Sequence, residues 1–323
     1  MSELRWRLAD EERDGQAALF SVDGLTGPER GTGKLSGLEF LHVTAKRILN
    51  EVPPQSRMPF RWTINVYRGC SHSCKYCFAR PTHEYLGLNM GEDFDRKIVV
   101  KINAVEKLRA ELASPKWTGE AVAMGTNTDP YQRCEGKYRL TRGVLEALTE
   151  HSNPFSILTK SALVLRDLDI LTAAAARAEV TVNFSVGTLD EQVWRATEPG
   201  TPHPRRRIEA MRQLAAAGIR TGALIAPVLP GLSDRPEQLR EVAAAVRDAG
   251  GRILGVLPLH LRPGVREHFL AWLADYDADL HADYLRRYAR GAYAPKQYAD
   301  RLRTHIRDRG VPDSGGAGAT LRI

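Results

Sequence analysis

Cysteine is scarce in this chain, with four residues in 323. So few cysteines do not build a disulfide-stabilised fold in a chain of this length, and at 43% hydrophobic residues it can bury a core without one. Three of the four, Cys70, Cys74 and Cys77, fall within eight residues of each other. In a reducing compartment such clustering indicates metal or redox chemistry.

Long apolar runs are also missing. No run reaches the roughly 18–20 residues that a membrane-spanning helix needs. The first sixteen residues, MSELRWRLADEERDGQ, have no apolar segment of the kind found in signal peptides. No repeat recurs at a fixed period. A cytoplasmic protein with no membrane segment is therefore expected.

The charge is moderately basic, with 46 Lys and Arg against 39 Asp and Glu and a net charge of +7. This excess suits an anionic partner such as nucleic acid or a phosphorylated substrate, although many arginine-rich cytosolic proteins share it. The segment 31–34 (GTGK) resembles part of a phosphate-binding loop. Pro28 and Leu35 stand where that motif needs Gly and Ser or Thr, so we interpret the segment as a linker.

Strand-like and helix-like segments alternate from Trp62 onward. Short apolar or β-branched runs predict strands at 62–67, 121–125, 155–159, 180–186, 221–228 and 253–259, with a further short strand at 97–101. Apolar residues at helical spacing predict helices at 103–113, 140–150, 163–177, 205–217 and 235–249. This alternation indicates βαβ units and a parallel sheet. Six core strands are too few for a closed eight-stranded barrel, so we predict a partial, open parallel β/α barrel.

The regions outside the barrel differ in composition. We predict a partly irregular N-terminal extension at 1–55, the barrel at 56–264, a helical C-terminal extension at 265–310 and a flexible tail at 311–323. The C-terminal helices are rich in Arg, Tyr and Trp. They could contact a nucleic acid through charge and stacking, or form an ordinary helical cap over the barrel.

The decisive segment is RGCSHSCKYCFAR at 68–80, directly after the first predicted barrel strand. Thiolates spaced C-x3-C-x2-C can bind three of the four irons of one cubane cluster, which leaves the fourth iron open. The alternative is a zinc site with His72 or Cys134 as fourth ligand. Structural zinc sites are usually built from two separated ligand pairs, and no second pair follows here.

This segment resembles the signature of the radical S-adenosylmethionine superfamily, C-x3-C-x-aromatic-C, with Tyr76 as the aromatic residue. The segments GTNTDPYQ (125–132), ILTKS (157–161) and VNFSV (182–186) are similar to the branch that includes spore photolyase and DNA repair photolyase-like proteins. The resemblance covers most of residues 40–265. It implies one 4Fe–4S cluster on Cys70, Cys74 and Cys77, with S-adenosylmethionine as the cofactor and an electron donor such as flavodoxin or ferredoxin.

The resemblance also implies the chemistry. The open iron chelates the methionyl amine and carboxylate, and one electron cleaves the cofactor to a 5′-deoxyadenosyl radical that abstracts hydrogen from a substrate. A nucleic acid or nucleoside is the substrate that the branch suggests, and a small metabolite or peptide is the alternative. A non-catalytic iron–sulfur or zinc protein with a binding or sensing role is the alternative of another class.

Polar residues follow the predicted strands at the barrel end where ligands gather. The resemblance implies that Tyr76 contacts the cofactor. It also implies that the residues after the second strand, Thr126, Asn127 and Thr128, contact its methionyl amine. Lys160, which ends the third strand, holds its carboxylate, and Ser185 on the fourth touches ribose or carboxylate. Each has a purely structural alternative, such as a capped turn, a solvated lysine or a buried serine bonded to backbone.

Three further residues allow two interpretations each. Glu198 and Arg207 could be polar contacts at the barrel mouth, but helix capping and a solvated basic run account for them better. The remaining cysteine, Cys134, cannot hold a second cluster alone. It could return a hydrogen atom to a product radical, although packing as a small buried hydrophobe is the favoured interpretation.

Overall fold

The computed structural model describes residues 20–21, 28–56 and 58–306. The predicted tail at 311–323 lies outside these residues. The strands are β1 (Phe20–Ser21), β2 (Glu29–Arg30), β3 (Glu39–Ala45), β4 (Leu49–Glu51), β5 (Trp62–Ile64), β6 (Tyr67–Arg68), β7 (Lys97–Lys101), β8 (Val122–Met124), β9 (Phe155–Thr159), β10 (Val180–Ser185), β11 (Arg220–Val228) and β12 (Arg252–Pro258).

Eleven α-helices lie in the described part of the chain. They are α1 (Glu92–Arg96), α2 (Ala104–Leu112), α3 (Glu135–Tyr138), α4 (Leu140–Glu150), α5 (Leu168–Ala175), α6 (Glu191–Thr197), α7 (Pro204–Ala216), α8 (Pro236–Asp248), α9 (Val265–Tyr276), α10 (Ala278–Arg287) and α11 (Lys296–Ile306). Short 3-10 helices span Gly33–Leu35, Arg80–Leu86 and Ala162–Asp167. None of these helices combines the length and hydropathy that a bilayer span requires.

The main sheet confirms the predicted open barrel. Its strand order is β12-β11-β10-β9-β8-β5-β4, and all neighbours from β5 to β12 run parallel, whereas β4 pairs antiparallel with β5. Within the described residues no pairing joins β12 to β4, so the barrel stays open. Alternating burial along β9 places Ile157 in the core between Met124 and Val182 of the adjacent strands.

Helices cover the outer face of this sheet. The helix α8 buries Leu239, Val242, Ala243 and Val246, whose spacing puts them on one side of the helix. It packs on β11 and β12, and α11 lies against both α8 and β12. The exposed edge of the barrel is therefore partly covered by a helix of the C-terminal extension, which protects an otherwise unpaired strand.

Two predicted elements are divided in the structure. The run 62–67 was predicted as one strand, but β5 belongs to the barrel, whereas β6 joins a second sheet with the order β1-β3-β7-β6, in which β2 also pairs with β3. The chain changes sheets at Asn65 and Val66. The helix predicted at 163–177 begins as a 3-10 turn and becomes α5 only at Leu168, next to Asp167, whose buried carboxylate accepts hydrogen bonds from Tyr131 and Arg142.

Candidate active site

The three clustered cysteines lie on a loop, 69–79, that follows β6. Gly69 has a φ of +77°, and a Cβ there would lie 2.9 Å from both the Lys97 carbonyl oxygen and His83 Cε1, so only glycine fits. Three backbone amides of the loop donate to three distant parts of the chain: Cys70 to the Phe94 carbonyl (2.9 Å), Ser71 to Gln132 Oε1 (3.0 Å) and Lys75 to the Thr197 carbonyl (2.9 Å). The loop is therefore fixed before any ligand binds.

Arg80 holds the end of this loop. Its side chain is fully buried, and its Nε and Nη2 atoms donate to the Cys74 carbonyl at 3.1 and 3.0 Å. The same Nη2 lies 2.8 Å from Asp95 Oδ1, which balances the buried charge. A planar guanidinium can make these bonds at once, and a lysine cannot.

The three thiols lie close enough to affect each other. Burial is the main reason that the pKa of the Cys70 thiol lies well above its ordinary value, and negative charge on Asp129, Cys77 and Cys74 adds to it. Burial also raises the pKa of Cys74 and Cys77. Neutral thiols in a fixed loop become ligands when a metal displaces their protons.

No three His, Cys, Asp or Glu side chains within residues 28–56 and 58–306 converge where a single metal ion could sit. An iron–sulfur cubane binds each thiolate through a different iron atom, so its ligands surround a larger volume than the ligands of one ion do. Three neighbouring thiols on one short, fixed loop fit such a group.

The Tyr76 hydroxyl belongs to a buried network of charged side chains. It donates to Glu198 Oε1, and Glu198 Oε2 pairs with Arg207 Nη2. Burial alone would raise the pKa of Glu198, but the positive charges of Arg207 and Lys160 outweigh it and hold that pKa at about 2. Arg207 also donates to the Ser185 carbonyl at 2.9 Å. Glu198 thus does not cap the start of a helix and Arg207 is not solvated, so the favoured sequence interpretation of both was wrong.

Lys160 and Ser185 are brought together at the ends of neighbouring strands. Lys160 directly follows β9 and Ser185 ends β10, and Lys160 Nζ donates to Ser185 Oγ at 2.7 Å. The ammonium lies 4.0 Å from Glu198 Oε1 and 5.7 Å from the centre of the Tyr76 ring. Three of the six predicted cofactor residues therefore lie in one cluster next to the cysteine loop.

The other three, Thr126, Asn127 and Thr128, follow β8. The Asn65 side chain organises this turn, because its Nδ2 donates to Thr126 Oγ1 (3.1 Å) and its Oδ1 accepts from the Asn127 amide (3.1 Å). Thr128 is buried, and its hydroxyl donates to the Gly69 carbonyl at 2.7 Å. Thr128 thus anchors the cysteine loop, while Thr126 and Asn127 stay partly accessible.

Cys134 lies away from this cluster. It is fully buried in the main core, at the start of α3, next to Tyr67. Burial raises the pKa of its thiol well above the ordinary value. This placement favours packing over hydrogen donation, and Cys134 packs in a different cluster from Cys70, Cys74 and Cys77.

The C-terminal extension packs against the cysteine loop. Cys74 and Tyr76 share a hydrophobic cluster with Phe269 of α9 and Tyr284 of α10. Tyr284 donates to the Pro230 carbonyl at 2.9 Å. These helices therefore form a wall of the site, and their buried tyrosines serve packing rather than stacking with a ligand.

Sequence reasoning missed Arg80 and Asp129, and it considered Glu198 and Arg207 as contacts at the barrel mouth but favoured capping and a solvated run for them. All are charged residues whose partners lie elsewhere in the chain, so no local pattern marks them. The tetrapeptide at 126–129 did indicate a role for Asp129, because an acidic residue at the carboxyl end of a parallel strand often belongs to a ligand-binding site.

The open parallel barrel and its three-cysteine loop define a class of enzymes with a metal cluster at the barrel mouth. Residues 64–244, more than half of the chain, match the model of the Radical SAM superfamily. The chain belongs to this superfamily. Membership implies an enzyme that uses S-adenosylmethionine and an iron–sulfur cluster.

Relatives and solved structures agree with this assignment. The uncharacterized protein Rv2578c of Mycobacterium tuberculosis is 45% identical over 273 residues, which cover 84% of this chain and 80% of that protein. The uncharacterized protein MJ0683 of Methanocaldococcus jannaschii is 32% identical over 200 residues, 62% of this chain and 71% of that protein. Spore photoproduct lyase complexed with dinucleoside spore photoproduct superposes with a TM-score of 0.57 at 17% identity, over 83% of this chain and 77% of the other. At that identity the likeness concerns the fold.

Proposed function

We propose that Cys70, Cys74 and Cys77 hold one 4Fe–4S cluster whose fourth iron is left for S-adenosylmethionine. The observation that carries the proposal is a fixed loop that presents three neighbouring thiols beside Lys160 and Ser185. When bound and reduced, the cluster would supply the one electron that cleaves the C5′–S bond of the cofactor to methionine and a 5′-deoxyadenosyl radical, which would take a hydrogen atom from the substrate.

The side chains around the loop suit the methionyl end of the cofactor. Lys160 and Arg207 carry two positive charges against the single carboxylate of Glu198, so the cluster of side chains has an excess positive charge. One incoming carboxylate balances it, and Lys160 Nζ, which bonds only a serine hydroxyl closely, is the donor best able to receive it. Thr126 and Asn127 are proposed to contact the amine, and Ser185 the ribose or carboxylate.

We infer that the substrate is a nucleic acid or nucleoside. Apart from the net charge of +7, the support is a group of side chains just beyond β12, at the ligand-binding end of the barrel. The rings of His260 and Tyr293 lie 4.7 Å apart, and Arg262 Nη2 donates to Tyr293 Oη at 3.2 Å. Tyr293 is 51% exposed, and Phe78 beside Cys77 is 62% exposed. Exposed rings beside a cation suit bases and phosphates.

The test of the radical chemistry is anaerobic reconstitution with iron and sulfide, reduction with dithionite, and mass-spectrometric detection of 5′-deoxyadenosine. We expect a brown protein that forms this product. A colourless protein with no product would contradict the proposal and favour a binding or sensing role. The cytoplasm, where thiols stay reduced, is the proposed location.

The substrate proposal needs its own test. Binding of single-stranded and duplex DNA and of RNA is measured over a range of salt concentrations, for the wild type and an Arg262→Ala/Tyr293→Ala variant. We expect salt-dependent binding that the variant weakens about tenfold or more, since the stacking of one base on an aromatic ring is worth about 1–3 kcal/mol. An Arg206→Ala variant is the surface control. Absence of nucleic-acid binding would favour a small metabolite or peptide as substrate.

A further inference from the structure

A cavity of about 570 Å³ lies against the cysteine loop. The loop contributes Ser71, Ser73 and Lys75 to its lining. The remaining lining residues come from the β2–β3 connection, α1, the segment after α6 and two single positions: Ser36, Gly37, Leu38, Gly91, Glu92, Asp95, Arg96, Pro199, Gly200, Arg133 and His268. None of the residues proposed to bind S-adenosylmethionine lines this cavity, so the cavity is separate from the group of side chains around Lys160.

The cavity has an unbalanced positive charge. Glu92 pairs with Arg96 at 2.5 Å, and Asp95 pairs with the buried Arg80 at 2.8 Å. Lys75 and Arg133 also line the cavity, and within the described residues neither has a carboxylate at ion-pair distance, 4.0 Å or less. Burial, with a smaller contribution from nearby cations, lowers the pKa of His268 to about 4, so this ring adds no charge near neutral pH.

The cavity also lies close to the proposed cluster. Ser71 directly follows Cys70, and Ser73 and Lys75 flank Cys74 on either side. A molecule that fills the cavity would therefore contact the residues that flank Cys70 and Cys74 in the loop. The other side of Cys74 packs against the C-terminal helices, which close that approach.

We propose that this cavity is the docking site of an acidic, one-electron carrier protein that reduces the cluster. The inference rests on the proposed function, because each cofactor cleavage consumes one electron that neither S-adenosylmethionine nor the substrate provides. The carrier, a protein with a reduced flavin or iron–sulfur group, loses one electron, and the C5′–S bond takes up that electron as it breaks. Acidic side chains of the carrier pair with Lys75 and Arg133.

A nucleic acid is also anionic, but it suits this cavity less well. Glu92 and Asp95, each paired with an arginine, interrupt the positive surface, whereas a phosphate backbone carries a uniform negative charge. A folded acidic protein can place its carboxylates opposite Lys75 and Arg133 and avoid the other two positions.

The test compares two reductants with the same enzyme. Formation of 5′-deoxyadenosine is measured with fully reduced flavodoxin and with dithionite, which needs no docking surface. The variants are Arg133→Glu and Lys75→Glu, and the controls are Arg206→Glu and Lys116→Glu, which make the same charge change at exposed positions elsewhere. The backbone amides of Arg133 and Lys75, which fix the loop, are unchanged by these substitutions.

We expect the flavodoxin-supported rate to fall about tenfold or more in both cavity variants and to depend on salt, because charge complementarity governs such encounters. The dithionite-supported rate of Arg133→Glu should stay within about twofold of the wild type, and both controls should keep both rates. An unchanged flavodoxin rate in Arg133→Glu would overturn the docking site. An equal fall of the flavodoxin-supported rate in the two control variants would also overturn it. So would cavity variants whose only defect is weaker DNA binding. Absence of product with dithionite in the wild type would instead contradict the proposed function itself.

Discussion

His72 Nδ1 lies 3.3 Å from Asp129 Oδ2, and the two side chains are only 4% and 9% exposed. His72 belongs to the cysteine loop, whereas Asp129 follows β8. The Asp129 carboxylate also accepts hydrogen bonds from Thr159 Oγ1 at 2.6 Å and from the Lys160 amide at 2.7 Å. One carboxylate therefore joins the cysteine loop to the strand end that carries Lys160.

The first prediction concerns the pH dependence of this contact. Burial would raise the pKa of Asp129, but His72, when protonated, and three hydrogen bonds lower it to about 2, below its ordinary 3.8. A depressed folded-state pKa stabilises the protein above about pH 4, and that contribution is lost as the pH falls toward 2. Between pH 5 and pH 2 the unfolding free energy of the wild type should therefore fall by about 2 kcal/mol more than that of Asp129→Asn, which lacks this carboxylate.

Urea unfolding at several pH values measures this difference, with the exposed Asp275→Asn as a control. The variant should also bind S-adenosylmethionine more weakly, because Lys160 loses a fixed backbone position. The same pH dependence of the unfolding free energy in the wild type and Asp129→Asn would show that the pKa of Asp129 is not lowered in the folded protein.

The second prediction concerns the cluster. Replacing Cys70, Cys74 or Cys77 by Ala should remove iron and abolish 5′-deoxyadenosine formation, because a cubane bound by two thiolates is not retained. Cys134→Ala is the matched control and should keep its iron. Iron and sulfide analysis with visible absorption provides the measurement, and full cluster loading in Cys74→Ala would refute the ligand assignment.

The third prediction concerns Lys160. Its ammonium has one close partner, Ser185 Oγ at 2.7 Å, and is free to reach a cofactor carboxylate. A charge-assisted hydrogen bond contributes about 1.5–3 kcal/mol, so Lys160→Ala should weaken S-adenosylmethionine binding tenfold or more. Equilibrium binding under anaerobic conditions tests this, with unchanged iron content expected and Lys116→Ala as control. Wild-type affinity in Lys160→Ala would exclude the lysine from the cofactor site.

The fourth prediction concerns the Glu198–Arg207 ion pair. Glu198→Gln leaves the fully buried guanidinium of Arg207 without a counter-charge, which should cost about 3–5 kcal/mol of unfolding free energy. Tyr76→Phe removes only a hydrogen bond to the same carboxylate and should cost about 1 kcal/mol. Denaturant unfolding of the two variants measures the contrast. Equal, small losses in both would mean that Arg207 has other means of charge compensation.

The fifth prediction concerns Cys134. Because the thiol is fully buried in the core, Cys134→Ala should lower stability by about 1 kcal/mol and leave cofactor cleavage and product distribution unchanged. Product analysis by mass spectrometry decides the point once a substrate is found. A fall in the correct product, with a rise in misquenched radical products, would instead assign Cys134 the hydrogen-donor role.

The sequence by itself determined the barrel and the position of its cysteine loop. Strands such as β9 and β10, and helices such as α4 and α8, appear as local apolar patterns that the structure reproduces within a residue or two. The C-x3-C-x2-C spacing is likewise a local property. Periodicity reports burial on one face of an element, which is why these features could be predicted.

Tertiary structure alone decided how the charged groups are used. Glu198 and Arg207 occur in a polar stretch that is typical of solvated surface, yet each is buried because the other neutralises its charge. The split between β5 and β6 likewise depends on contacts with distant segments. A local pattern carries no record of a partner that lies elsewhere in the chain, so these features emerge only when the fold brings the partners together.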